Sequence, residues 1–158
     1  MMNYTVKQKI MAFGKQYRAF DGSSNQVYEI RSMILSPERR KEVYDMAGRL
    51  VAWSEWPVMS ERASLQASTH SGSLEVPFMS FTPEWNGNYD SVSFEITGDF
   101  FRRNFDVRVG GRQTATIGKE FFAFSDTYEV NVDESVMAPE IVLLLVAIID
   151  HKYHSDKN

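Results

Sequence analysis

The stretch that decides the fold is Pro139-Glu140-Ile141-Val142-Leu143-Leu144-Leu145-Val146-Ala147-Ile148-Ile149-Asp150-His151-Lys152. Pro139 suits the first turn of a helix, Asp133, Glu134 and Glu140 put negative charge at the positive end of its dipole, and His151 and Lys152 stand near the other end. Between them run nine consecutive apolar residues. A helix of that composition has no polar face, so it must be buried on every side. As a helix, Ile141 to Ile149 spans about 14 Å, against roughly 30 Å of bilayer hydrocarbon, so it is too short to cross a membrane and reads as a core element.

Upstream the dominant pattern is alternation with a period of two. Val92, Phe94 and Ile96 alternate with Ser93, Glu95 and Thr97. Phe105, Val107 and Val109 alternate with Asp106 and Arg108, and Tyr128, Val130 and Val132 with Thr127, Glu129 and Asn131. Each is a strand with one wet face. Weaker strand signals cover residues 4–9, 16–20, 27–33, 42–45, 50–53, 63–67 and 114–117. Turn chemistry separates them at Asp21-Gly22-Ser23-Ser24-Asn25, Asp45-Met46-Ala47-Gly48, Asn86-Gly87-Asn88 and Gly110-Gly111. Connections that short join antiparallel neighbours. Ten to twelve strands leave a barrel lumen that side chains alone do not fill, and the apolar helix is its plug. The expected fold is mainly β: a closed antiparallel barrel of about twelve strands around a buried C-terminal helix.

The chain reads as a single domain over residues 1–158, built from two similar β-units at about 3–68 and 77–133 and a central helix at about 134–151. Tyr28-Glu29-Ile30 answers Phe94-Glu95-Ile96, and Val43-Tyr44-Asp45 answers Val107-Arg108-Val109. The Ser- and Gly-containing segment 69–77 is the expected joint between the units.

Composition narrows the function. A net charge of -4 argues against a nucleic-acid partner, which calls for a basic footprint. The chain has no cysteine, hence no disulfides and no thiolate chemistry. The first twenty residues hold no secretory apolar run, which makes a cytoplasmic location the expectation, with peripheral membrane contact open.

From Asn3 to His154 the chain resembles the LURP-one-related family, which belongs with the tubby C-terminal-like barrels. The resemblance is carried by Tyr4-Thr5-Val6-Lys7-Gln8-Lys9, Val43-Tyr44-Asp45-Met46-Ala47-Gly48 and Phe105-Asp106-Val107-Arg108-Val109-Gly110-Gly111. Ile117-Gly118-Lys119-Glu120, Asp126-Thr127-Tyr128-Glu129-Val130 and the terminal apolar helix complete it. It implies a twelve-stranded barrel threaded by a hydrophobic helix and no particular reaction. Barrels of this kind include phosphoinositide-binding tubby proteins and phospholipid scramblases, so contact with membrane lipid is the analogy it offers.

Catalytic constellations are missing from the pattern. Asp45, Asp90, Asp99, Asp106 and Asp126 scatter over turns and strand exteriors, without a general acid and base. His70 lies in a Ser/Thr-rich segment without a nucleophile elbow. His151 and His154 share a helical spacing, but no neighbouring carboxylate completes a metal site, so they read as solvated terminal residues. The expectation is a non-enzyme without metal or cofactor.

Basic residues carry the functional hint. Arg39-Arg40-Lys41 and Arg102-Arg103 fall at corresponding turns of the two units and suit an anionic group such as a phosphate, while charged turns also serve simply to keep hairpins soluble. In Trp53-Ser54-Glu55-Trp56-Pro57 the two tryptophans would face opposite sides of a continuous strand, one into the barrel and one outside, unless the chain bends before Pro57. Two readings stand: a binding module for an anionic ligand such as a phospholipid headgroup at a membrane surface, or a protein-interaction or structural domain without a small ligand.

Overall fold

The computed structural model describes residues 1–11, 14–78, 84–99, 104–120 and 126–156. Twelve antiparallel strands follow one another around a closed barrel. They are β1 (Met2–Met11), β2 (Gly14–Phe20), β3 (Gln26–Ser32), β4 (Lys41–Asp45), β5 (Leu50–Ser54), β6 (Arg62–Ala67), β7 (Ser71–Glu75), β8 (Glu84–Tyr89), β9 (Val92–Asp99), β10 (Asn104–Val109), β11 (Arg112–Glu120) and β12 (Thr127–Val132). Each strand pairs with the next, and β1 closes the ring on β12 through Met2↔Val132 to Lys7↔Thr127. Closure leaves no open sheet edge to template pairing with another chain.

Helix α1 (Pro139–Asp156) threads this barrel, and every residue from Ile141 to Ile149 is at most 1% exposed. The inward residues of the strands meet it with alternating period, as in Phe105 and Val107 of β10 or Tyr128, Val130 and Val132 of β12. The helix packs against β3, β4, β5, β6 and β12. On that side the inward residues include Val43, Ala52 and Ala63, which leave room for its backbone, whereas Trp85, Phe94 and Phe105 fill the far side. Gly87 of β8 pairs with Phe94, and a Cβ at Gly87 would come within 2.4 Å of the Phe94 ring. Side-chain size therefore places the helix off the barrel axis.

Several boundaries differ from the sequence expectation for local reasons. The segment 69–77, read as a joint, contains β7, and β8 also lacks a strand-like pattern in sequence. Both are poor in β-branched residues, and Gly72 sits where a Cβ would come within 1.9 Å of the Asn88 carbonyl oxygen, so backbone approach rather than propensity makes the pairing. The helix starts five residues later than 134, because Val136 and Met137 donate their amides to the Asp133 carbonyl in a turn, and it continues beyond 151. Val92 is exposed despite its place in the alternation, since it directly follows the Asp90-Ser91 turn, whose φ angles are both positive.

Burial of the helix sets a test. Leu144→Asp would place an unpaired carboxylate among side chains of zero exposure and costs on the order of 5 kcal/mol or more, comparable with the whole stability of such a domain. Loss of the native far-UV dichroism and of a cooperative melt is the expected result. A soluble variant with unchanged melting would place the helix outside the barrel.

Candidate functional site

The antiparallel meander sends its odd-to-even connections to one rim of the barrel, the rim where α1 ends. Pairing aligns Lys15 of β2 with Ser32 of β3, Ser32 with Lys41 of β4, and Lys41 with Ser54 of β5. Ser32, Lys41 and Ser54 are buried, so this row forms a polar layer inside the barrel just below the rim. Its neighbours on the helix are Asp150 and His151.

Asp150, with zero exposure, is the anchor of the layer. Lys15 Nζ donates to its Oδ2 at 2.9 Å, Tyr17 and Tyr128 donate their hydroxyls to its two oxygens, and His154 Nε2 lies 3.4 Å away. Burial alone would push this carboxyl up, but the His154 hydrogen bond, the Lys15 charge and the two phenols outweigh it and hold it well below the usual carboxylate range. Asp126, beside the start of β12, takes Lys119 Nζ at 2.6 Å and His154 Nε2 at 2.9 Å. The His154 bond, with Lys119 behind it, brings Asp126 down to about 2, and the same two carboxylates raise His154.

A second stack closes the end of the barrel. The Arg39 guanidinium lies 3.6 Å from the centre of the Trp56 ring, Trp56 meets the His151 ring edge-on at 5.4 Å, and His151 Nδ1 lies 2.6 Å from Lys41 Nζ. Burial, then the Lys41 and Arg39 charges, push His151 down to about 3, and burial with Arg39 pushes Lys41 down to about 7. A neutral His151 therefore accepts a hydrogen bond from Lys41. Trp53 lies on the outer face of β5 and Trp56 is buried, so the two tryptophans do fall on opposite sides.

The basic residues singled out in sequence are placed unequally. Arg39 donates to the carbonyls of Trp56 at 2.7 Å and Pro57 at 2.8 Å, tying the β3–β4 connection to the β5–β6 connection. Arg40 bridges Glu42 at 3.0 Å and Glu55 at 2.9 Å and stays partly exposed. Lys41 points into the barrel rather than into solvent, because alternation in β4 sends it inward with Val43. Arg102 and Arg103 lie outside the described residues.

Two expectations need correction. His154 is not a free terminal residue, and Asp126 is not a solvated turn residue: both are half-buried and paired. Carboxylates do stand beside His154, since ligand atoms of Asp126, Asp150 and His154 lie within 4.8 Å of one another. The i, i+4 spacing on α1 sets Asp150 beside His154, a signal present in the sequence, and closure of the barrel adds Asp126. The cluster nevertheless has the chemistry of an ion-pair network, because Lys15 and Lys119 already supply cations to both carboxylates. His151, turned towards Lys41 and Trp56, is not part of it.

Elsewhere, a shallow polar groove crosses β6 to β8 past Gln66, Ser71, Ser73, Asn88 and Asp90. A hollow of about 150 Å³ beside Tyr89, Val92, Val109 and Met137 is mostly apolar.

The anchor predicts its own mutants. Asp150→Leu leaves Lys15, Tyr17 and Tyr128 without their acceptor and costs about 3–5 kcal/mol in chemical denaturation, while Asp150→Asn, which keeps an acceptor for the phenols, costs less. Equal losses in the two variants would deny the anchor its role.

Acid sensitivity supplies a second check. His151 stays neutral in the fold down to about 3, whereas the unfolded chain protonates it from 6.5. Stability therefore falls as the pH drops through that window. The depressed aspartates contribute stability above their unfolded value of 3.8 and lose it only as the pH falls below that, towards their folded values. His154, raised in the fold, gives a contribution fully present below 6.5 and lost at higher pH. Between 6.5 and 3.8 the slope belongs to His151, and His151→Asn, whose side-chain oxygen replaces Nδ1 as acceptor, is expected to flatten the melting temperature there. An equal slope in both proteins would contradict this assignment.

A family model described as LURP-one-related matches residues 2–150. The X-ray structure of a protein from Arabidopsis thaliana is similar over 94% of this chain and 90% of that one, with a TM-score of 0.61 and 14% identity. At that identity the likeness speaks for the fold. No curated protein matches the chain. With the family model covering nearly its whole length and the barrel and threaded helix in place, the chain belongs to the LURP-one-related family.

Proposed function

We propose that this barrel is a non-catalytic binding module that meets anionic phospholipid headgroups with the rim where α1 ends. The carrying observation is the pair Arg39 and Arg40, both partly exposed and both pre-set by bonds to the next hairpin. Guanidinium groups held in place lose less freedom on meeting a phosphate than mobile ones do. Carboxylates stand at both rims: Asp21, Asp45, Asp90, Asp133, Glu134 and Glu140 at the opposite one, against Arg49 and Arg112, and Glu38, Glu55 and Glu61 beside Arg39 and Arg40 at this one. Arg102 and Arg103 join the proposal as further basic groups, with Lys41 buried behind Arg39. Non-catalytic action agrees with the site's chemistry, in which the shifted groups are paired with one another instead of converging on an open cleft.

Co-sedimentation with vesicles of phosphatidylcholine alone, with added phosphatidylserine, and with added phosphoinositide tests the reading. Binding is expected only with the anionic lipids and weakens with salt. Each basic residue near such a surface is worth about 1 kcal/mol, so Arg40→Ala/Arg102→Ala/Arg103→Ala lowers affinity on the order of a hundredfold at low salt. The further variant Arg39→Ala is checked by dichroism, since Arg39 also braces Trp56. No sedimentation with any lipid at low salt would leave a protein-interaction role in its place.

A further inference from the structure

The end of the barrel where α1 begins holds a hollow that the core leaves unfilled. Its walls are Tyr89 and Asp90 at the β8–β9 hairpin, Val92 of β9, Val109 of β10, and Val136 and Met137 ahead of α1. The off-axis helix is the cause. Trp85, Phe94 and Phe105 fill the lumen opposite α1 at deeper positions, but towards this rim the inward places pass to Val92 and Val109, and the β10–β11 hairpin is Gly110-Gly111, which brings no side chain. About 150 Å³ remains, and Val92 and Val136 are 48% and 42% exposed at its mouth. A cavity of that size takes one benzene-sized molecule.

Two features of the walls go beyond apolar space. Tyr89 is 7% exposed, and its hydroxyl is buried without a hydrogen-bond partner, a state that costs free energy until another group pairs with it. Asp90 brings a carboxylate, which accepts from the Ser71 amide at 3.2 Å and pairs with the His70 ring. The surroundings are acidic as well. Glu134 stands two residues before Val136 and Glu140 three after Met137, and each accepts from a neutral phenol, of Tyr4 and Tyr28 respectively, so both keep their charge. Together they exceed the positive end of the α1 dipole, which amounts to about half a unit charge. Arg112 and the N-terminal amine act on Asp133, and Arg108 is paired with Asp106. Burial, then the Asp90 and Glu140 charges, push the Tyr89 phenol up, so the field at this wall is negative.

We infer that this hollow binds an organic amine: a primary ammonium group on a short apolar body, carried by a free amine or by a lysine side chain of a partner protein. The valines and Met137 take the hydrocarbon, and the ammonium lies at the wall formed by Tyr89 and Asp90. An ammonium offers three donors and no acceptor, while the phenol oxygen and the carboxylate both accept. A neutral molecule of the same size leaves the carboxylates unused. An anion meets Asp90, Glu134 and Glu140 with like charge. The hollow shares no residue with the arginine rim, so it is independent of the lipid reading.

Three probes with one benzyl body separate charge from size: benzylamine, benzyl alcohol and benzoate, titrated at neutral pH into isotope-labelled protein and followed by amide chemical shifts. Saturable shifts at Tyr89, Val92, Val109, Val136 and Met137 are expected with benzylamine, at a dissociation constant on the order of 1 mM for so small a ligand. Benzyl alcohol is expected to bind about tenfold more weakly, and benzoate not at all. Position 90 has φ of 53°, which asparagine tolerates, so Asp90→Asn keeps the hairpin and is expected to lose about tenfold for benzylamine with benzyl alcohol unchanged. Tyr89→Phe, which keeps the ring, is expected to lose severalfold for the amine alone. Nα-acetyl-lysine amide against n-butylamine decides the source: tighter binding of the lysine assigns the hollow to a partner's side chain, weaker binding to a free amine. Equal affinity for the three benzyl probes, or an Asp90→Asn variant with undiminished benzylamine binding, would overturn the ammonium site. Shifts confined to the groove at Gln66, Ser73 and Asn88, or no saturable shift with any amine, would overturn the hollow itself.

Discussion

One buried carboxylate organises the molecule. Asp150 closes an apolar run that has no polar face, and Lys15, Tyr17, Tyr128 and His154 converge on it from β2, β12 and the helix itself. At the other end of the helix Tyr28 donates to Glu140 at 2.9 Å and Tyr4 to Glu134. Dispersion and the hydrophobic effect hold the middle of the helix without specifying its height, because neither is directional. Hydrogen bonds at both ends supply the register that the apolar middle lacks. The eleven residues from Glu140 to Asp150 span about 15 Å, which sets the depth of the lumen that the strands enclose.

From that constraint the uneven strands follow. The helix lies against the wall that includes β4, β5 and β6, where Val43, Ala52 and Ala63 leave it room, and the opposite wall compensates with Trp85, Phe94 and Phe105. Ile30 of β3 and Ile96 of β9 both point inward, as do Val43 of β4 and Val107 of β10, so similar strand patterns coexist with different packing partners. Gly87 shows the cost of that filling: only an absent side chain lets Phe94 lie across β8.

How much of this was readable in the sequence depended on how local the cause was. Nine apolar residues in a row force burial whatever surrounds them, and alternation in β9, β10 and β12 forces a half-wet sheet, so barrel and plug were legible. The strands β7 and β8 were not, because their Ser, Gly and Asn residues have no preference of their own and are held by neighbours on both sides. The polar layer was hidden for a different reason. Lys41 reads as part of a basic turn beside Arg39 and Arg40, and only the parity of β4 sends it inward to His151. Asp126 and Asp150 are separated by the whole of β12 and most of the helix, so their meeting at His154 is a product of barrel closure. For the tryptophans, parity within β5 places only Trp53, on the outer face, whereas Trp56 lies past the end of that strand and is buried by its contacts with Arg39 and His151.

Closure also determines where function can reside. A barrel without edges and with its lumen filled by a helix offers a partner only its outer faces and its two rims. Of the rims, one is made of turns rich in Asp, Gly and Ser, which need little from the rest of the protein to hold their shape. The other depends on the interior. Arg39 rests on Trp56, Trp56 on His151, and His151 on Lys41, while Lys152 reaches up from the same helix to the Phe78 carbonyl. Positive φ angles at Arg39 and Met59 persist because this stack and the bonds between hairpins over-determine them. The buried network at the end of α1 is therefore the foundation of the rim above it: the groups that fix the helix in the barrel also fix the arginines and apolar side chains that the rim presents.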